Sequence, residues 1–172
     1  MKQPILYLML GYPGAGKTTT AEMIARLTGA VHLASDRIRL ELFPHPQFSP
    51  KEHQHLYNFI DQRTEELLRT GHSVIYDANL NHYIHRQEKY AICKRIGAQP
   101  VLLWVQVDEN LARQRATKDG NGDDKRPYGN LDGSTFTRLV REIEPPAPNE
   151  PYLIVDGTKV SEPYIKELLT KA

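Results

Sequence analysis

Short, nearly unbroken apolar runs alternate along the chain with longer stretches of helical period. Ile5–Leu10, Val31–Ala34, Ser73–Tyr76, Val101–Val107 and Tyr152–Val155 read as strands, and their continuous hydrophobicity suits strands covered on both faces. The alternation predicts an α/β fold: a five-stranded parallel sheet in a three-layer sandwich with helices on both faces. Between the strands, Ser49-Pro50-Lys51-Glu52 combines an N-cap serine, a proline at the first helical position and a capping-box glutamate. Leu56, Phe59, Ile60, Leu67 and Leu68 mark the inner face of that helix, and Gly71 offers a left-handed stop. A second helix is predicted after Asn81, with Ile84, Ala91, Ile92 and Ile96 inward and Gly97 at its end; a third begins near Ser161, with Ile165, Leu168 and Leu169 inward. A shorter helix carries Phe136, Leu139, Val140 and Ile143 and runs into the proline-rich link 144–148. The stretch 118–130 is rich in turn formers and charge, has no apolar period, and reads as a long loop.

With 172 residues, the length fits one domain, 1–172, able to bury a core without staples. Lysine and arginine number 22 against 21 aspartates and glutamates, so the overall field is too weak to gather nucleic acid or anionic membrane; any anion must be gripped locally. Cys93 is the only cysteine, which excludes an intrachain disulfide, and on a helix it reads as a small buried hydrophobe. The run Ile5–Leu10 is too short to span a bilayer and leads into a glycine-rich loop instead of a cleavage site. A cytoplasmic location is the expectation. His53 and His55 are two apart, and His82 and His85 lack a metalloprotease-type glutamate, so no transition-metal site is expected.

Chemistry concentrates at the carboxyl ends of the predicted strands. Gly11-Tyr12-Pro13-Gly14-Ala15-Gly16-Lys17-Thr18 matches G-x-x-x-x-G-K-[ST] between an apolar strand and a helical segment running from Thr18 to Leu27. In that context the loop from Pro13 to Thr19, through the backbone N–H groups that follow Pro13, and the helix N-terminus can envelop phosphate. Lys17 is placed to bridge the β- and γ-phosphates of ATP, Thr18 to coordinate Mg²⁺, and Thr19 to reach the α-phosphate. After the second strand comes Asp36-Arg37-Ile38-Arg39: Asp36 can take the proton of an acceptor hydroxyl, and Arg39, one turn on, can neutralise an anionic group on the acceptor. An N-cap aspartate with an exposed arginine is the plainer alternative.

The third strand delivers Asp77-Ala78-Asn79-Leu80-Asn81 to the same edge. Asp77 can hold a magnesium-bound water or an acceptor hydroxyl, Asn79 can serve turn or substrate, and Asn81 reads as the next helix cap. Arg86, a turn into that helix, is a substrate-binding candidate with surface exposure as its alternative. Arg113 and Arg115, followed by Lys118, Lys125 and Arg126, could close over the transferring phosphate as a lid covering about 113–134. Two residues apart on a helix, Arg113 and Arg115 cannot both face the nucleotide, so of Arg115, the catalytic candidate, and Arg113, the nucleotide-binding candidate, one is structural or exposed. At the last strand's end Asp156-Gly157-Thr158 can flank the adenine or form a plain turn.

Taken together, the P-loop at 11–18, the Asp36-x-x-Arg39 pair and Asp77-Ala78-Asn79-Leu80-Asn81 with Arg86 resemble the polynucleotide 5′-hydroxyl kinase and zeta-toxin-like branch of P-loop kinases, whose members are also described as AAA domains. The resemblance implies strand order 2-3-1-4-5, a lid after the fourth strand, Asp36 as general base and Arg39 as acceptor-phosphate ligand. It departs from that family at the lid, where the position expected to repeat the arginine is Thr117. The expected activity is transfer of the γ-phosphate of ATP, with Mg²⁺, to a hydroxyl of a small molecule or a polynucleotide 5′ end; no obligatory protein partner is evident. A nucleoside monophosphate kinase and a nucleotide-dependent switch are the alternatives.

Overall fold

The computed structural model describes residues 3–118 and 128–172. Five strands form one parallel sheet in the order β2-β3-β1-β4-β5: β1 Ile5–Leu10, β2 Val31–Ala34, β3 Val74–Asp77, β4 Gln99–Gln106 and β5 Tyr152–Asp156. β1 lies at the centre, with Leu6–Leu8 paired to Val74–Tyr76 on one side and Ile5–Leu10 to Gln99–Trp104 on the other. Its side chains divide by the period of two. Leu6, Leu8 and Leu10 enter one apolar cluster, Tyr7 and Met9 the opposite one.

The first cluster is closed by α2 (Ser35–Leu42), α3 (Pro50–Arg69) and α4 (Tyr83–Ile96) through Ile38, Leu56, Ile60, Leu67, Leu68, Ile92 and Cys93. α1 (Lys17–Thr28) and α7 (Glu162–Leu169) close the second through Ala21, Ile24, Ile165 and Leu168. On one flank of the sheet, α5 (Glu109–Thr117) and α6 (Gly133–Arg141) pack through Ala112, Ala116 and Phe136. Burial pushes the Cys93 thiol up to about 11, as befits a packed hydrophobe. Among the described residues, no helix is long and apolar enough to cross a membrane.

Several expectations need correction. Phe59 is not inward but exposed, as are Ile84 and Ala91; the buried face of α4 carries Arg86 and Lys89 beside Ile92 and Cys93. Apolar periodicity misses such a face because charged side chains can be buried where partners await them. Lys89 Nζ lies 2.7 and 2.6 Å from the Asp61 carboxylate oxygens. Asn81 does not cap α4, since the cap position is His82. At α3, Ser49 caps as expected, its hydroxyl accepting from Glu52 N–H at 3.2 Å, but Glu52 does not close the capping box. Its carboxylate is drawn instead to Arg39 and to the Gln47 N–H. The expected lid region divides: 113–117 ends α5, 133–134 begins α6, and 119–127, with Lys125 and Arg126, lie outside the described residues.

Candidate active site

The loop between β1 and α1 owes its shape to glycine. Gly11, Gly14 and Gly16 have φ of 149°, 81° and 101°, backbone angles that L side chains rarely adopt. Gly14 also leaves room for the backbone of α5: a Cβ there would meet the Ala112 carbonyl oxygen inside contact distance. We expect Gly14→Ala to cost about 1–3 kcal/mol of stability and to weaken nucleotide binding, with thermal melting and calorimetric titration as the readouts.

Lys17 folds back over this loop, its Nζ donating to the carbonyls of Gly11 at 2.8 Å and Tyr12 at 2.9 Å. Although the residue as a whole is half-buried, its ammonium sits deep. Burial lowers its pKa, and the charges of Asp77 and Asp36 push the other way. Asp36, in the first turn of α2, is therefore electrostatically coupled to the P-loop lysine. Its own carboxyl is raised by burial and by Asp77, and lowered by Arg39 and Lys17. The residue remains exposed at the surface, so solvent limits that rise.

Asp77, at the end of β3, ties the loop to the sheet. Thr18 Oγ1 donates to its Oδ2 at 3.0 Å, and His32 Nε2 lies 2.9 Å from the same oxygen. His32 escaped the sequence reading because, inside a β2 run of apolar residues, nothing in the local pattern distinguishes it. Parallel pairing of β2 with β3 brings it across from Ile75, two residues before Asp77.

On the acceptor side the arrangement differs from expectation. Arg39 is buried and ion-paired, its Nη1 donating to Glu52 at 2.6 Å, with its Cζ 5.0 Å above the Phe48 ring centroid. An incoming anion would have to compete with Glu52, whose carboxyl burial pushes up but whose hydrogen bonds from Arg39 and the Gln47 N–H hold below the usual range. Asn79 resolves toward the turn: its Oδ1 accepts from Asn81 N–H at 3.0 Å while its own N–H donates to Tyr57 at 3.0 Å.

Arg86, expected as a substrate ligand, is instead committed within the fold. It is fully buried, its Nε and Nη2 donate to Glu150 at 2.8 and 2.9 Å, and its remaining bonds go to the carbonyls of Leu80, Asn81 and Pro145. All five N–H donors of a guanidinium are thereby used.

The two α5 arginines diverge as helical geometry requires. Arg113 turns to α6, stacking on Phe136 with Cζ 4.7 Å from the ring centroid and donating to Thr137 at 3.0 Å. Its guanidinium is thereby taken up by α6, where a nucleotide ligand was expected. Arg115 Nη1 reaches the Gly157 carbonyl at 3.4 Å, and Gly157 packs so closely on the P-loop that a Cβ there would strike the Ala15 carbonyl oxygen. Arg115 and Gly157 thus flank the loop that holds Pro13, Gly14, Ala15 and Gly16, while Asp156 spends its carboxylate capping Thr158. Thr19 lies in the first turn of α1, beside Thr18.

A family model described as an AAA domain matches residues 6–146. No curated protein matches the chain by sequence. Solved structures share its fold. A candidate kinase from Chloroflexus aurantiacus superposes with a TM-score of 0.76 at 18% identity, covering 99% of this chain and 96% of its own. Kti12 of Chaetomium thermophilum, solved with ADP-AlF3, gives 0.72 at 18% identity, with 96% of each chain covered. The APS kinase CysC of Mycobacterium tuberculosis, solved with AMPPNP and APS, gives 0.65 at 17% identity over 99% of this chain and 98% of its own.

Proposed function

The chain belongs to the AAA domain family, matched over residues 6–146, and from that premise we propose that it is an ATP-dependent kinase moving the γ-phosphate to an acceptor hydroxyl. The observation that carries the reading is the placement of Asp36, an exposed carboxylate in the first turn of α2 after β2, at the same sheet edge as Lys17 after β1, with Asp77 at the end of β3 between them; both carboxylates favour the charged form of the lysine. A carboxylate so placed can take the proton of an acceptor hydroxyl as it attacks.

In this reading the backbone of residues 13–19 binds the phosphates, and Lys17 exchanges its two carbonyl partners for β- and γ-phosphate oxygens. Asp36 accepts the proton of the acceptor hydroxyl as its oxygen bonds to the γ-phosphorus; the bond to the β,γ-bridging oxygen breaks and ADP leaves. Arg115 supplies positive charge beside the P-loop. Thr18 and Asp77 are the residues that would hold Mg²⁺. Both are hard oxygen donors, and among the described residues no group of three or more His, Cys, Asp or Glu forms a protein-only cage, which suits a cation that keeps waters and shares phosphates. When bound with ATP, Mg²⁺ supplies charge neutralisation across the β- and γ-phosphates.

An ADP-release assay over a panel of hydroxyl acceptors tests the proposal. Acceptor-dependent ADP formation should fall by about 10²–10³-fold in Lys17→Ala. Release that is independent of every acceptor would identify an ATPase instead, and release driven only by AMP or CMP a nucleoside monophosphate kinase.

A further inference from the structure

Phe48 combines two costly features. Among the described residues it is the only non-glycine with positive φ, 53°, and the residue is 57% exposed. The surroundings enforce this conformation. Glu52 grips the neighbouring Gln47 N–H at 2.7 Å, while Ser49, in extended backbone, is committed as the cap of α3 before Pro50. The chain between those anchors turns its aromatic side chain outward. Strained residues held in this way gather at ligand sites, and Phe48 stands beside one: Tyr128 meets its ring edge-on at a centroid distance of 5.0 Å, and the Tyr128 hydroxyl donates to the Asp36 carbonyl at 3.0 Å. Arg39 sits against the Phe48 ring, leaving a π-surface backed by a cation one ring away from Asp36.

We propose that Phe48, with Tyr128 at its edge and Arg39 against its face, is the platform on which a planar heteroaromatic ring of the acceptor stacks, so that the acceptor hydroxyl belongs to a nucleoside-like molecule and not to a ring-free polyol. The assignment rests on the hydroxyl-transfer reading of Asp36. Arg39 is held by Glu52 and so acts here as the cationic backing of the ring, without contacting the acceptor's charge. Stacking on a flat aromatic surface tolerates different bases. The ring can therefore come from a free nucleoside or from the end of an oligonucleotide.

Calorimetric titration of the full chain saturated with AMPPNP, using adenosine, cytidine, a 5′-hydroxyl dinucleotide and gluconate as probes, tests the platform directly. At least one ring-bearing probe should bind more tightly than gluconate. Phe48→Gly, which removes the ring and relieves the positive φ, should weaken that binding by roughly 10–100-fold, whereas Phe48→Trp should retain it; melting curves check that both variants fold. Preference for the dinucleotide over the nucleosides would assign the ring to a polynucleotide end, and the reverse to a small molecule; either supports the platform. Tighter binding of gluconate, unchanged affinity in Phe48→Gly, or no binding by any ring-bearing probe at millimolar concentration would overturn it. Phe48-dependent binding without ADP formation from ATP would keep the platform and overturn the kinase reading.

Discussion

Asp36→Asn should lower acceptor-dependent phosphotransfer by about 10²–10⁴-fold, the usual contribution of a positioned base, while leaving ATP affinity close to that of the parent protein. The amide keeps the size of the side chain but cannot take a proton. A second consequence follows from the electrostatics. Burial and the neighbouring Asp77 raise the Asp36 carboxyl, so the folded protein favours its protonated form. A raised folded pKa contributes stability below the ordinary carboxylate range and loses it as pH rises through the folded value. At neutral pH the ionised Asp36 is therefore a liability to the fold, and Asp36→Asn should melt at or above the temperature of the parent. In the parent, transfer should fall off on the acid side at a pH above that of an unperturbed aspartate. Rapid-quench kinetics across pH, with parallel melting curves, checks both; undiminished transfer in Asp36→Asn would remove the general-base role.

Arg86→Ala should have the largest effect on stability of any single replacement considered. It leaves Glu150 buried without its bidentate partner, a loss of about 3–5 kcal/mol, and strips a donor from the carbonyls of Leu80, Asn81 and Pro145. Against the 5–15 kcal/mol that typically holds a domain together, we expect a melting temperature lower by roughly 10 °C or more. Arg86→Lys should rescue little, because an ammonium cannot reproduce the planar five-donor fork. Replacing both partners by apolar residues, Arg86→Met with Glu150→Leu, should recover most of the loss. Burial raises the Glu150 carboxyl, but hydrogen bonds from Arg86, the Ala147 N–H and Tyr90 outweigh it and hold the group below its ordinary range. With a depressed folded pKa, its stabilisation is present at neutral pH and is lost as acid reaches that folded value. A variant that melted normally but raised the KM for acceptor would return Arg86 to the substrate site.

Arg86 and Arg113 also mark where sequence reading stops. Both stand in motifs that look functional, yet one is consumed by a glutamate 64 residues away and the other by Phe136 on a neighbouring helix. Whether an arginine is an open ligand depends on which acceptors the fold brings to it. Glu52 makes the same point. Its spacing from Ser49 predicts a local cap, but the packing of α2 against α3 brings Arg39 to one carboxylate oxygen while the Gln47 N–H takes the other.

From the sequence alone came the α/β class, the position of all five strands to within about two residues, and the P-loop with Asp36 and Asp77 at strand ends. Those features are written in local patterns: apolar runs long enough to bury, glycines where the backbone must turn left, and a lysine and threonine in register behind them. Strand order followed there from resemblance alone. Tertiary structure alone decided that His32 and Thr18 converge on one oxygen of Asp77, that Arg39 is paired, that Arg115 and not Arg113 flanks the P-loop, and that Phe48 meets Tyr128, which in turn reaches Asp36. Each of these is a contact between residues distant in the chain, set by strand register and helix packing, and neither composition nor periodicity encodes which side chains meet across such gaps.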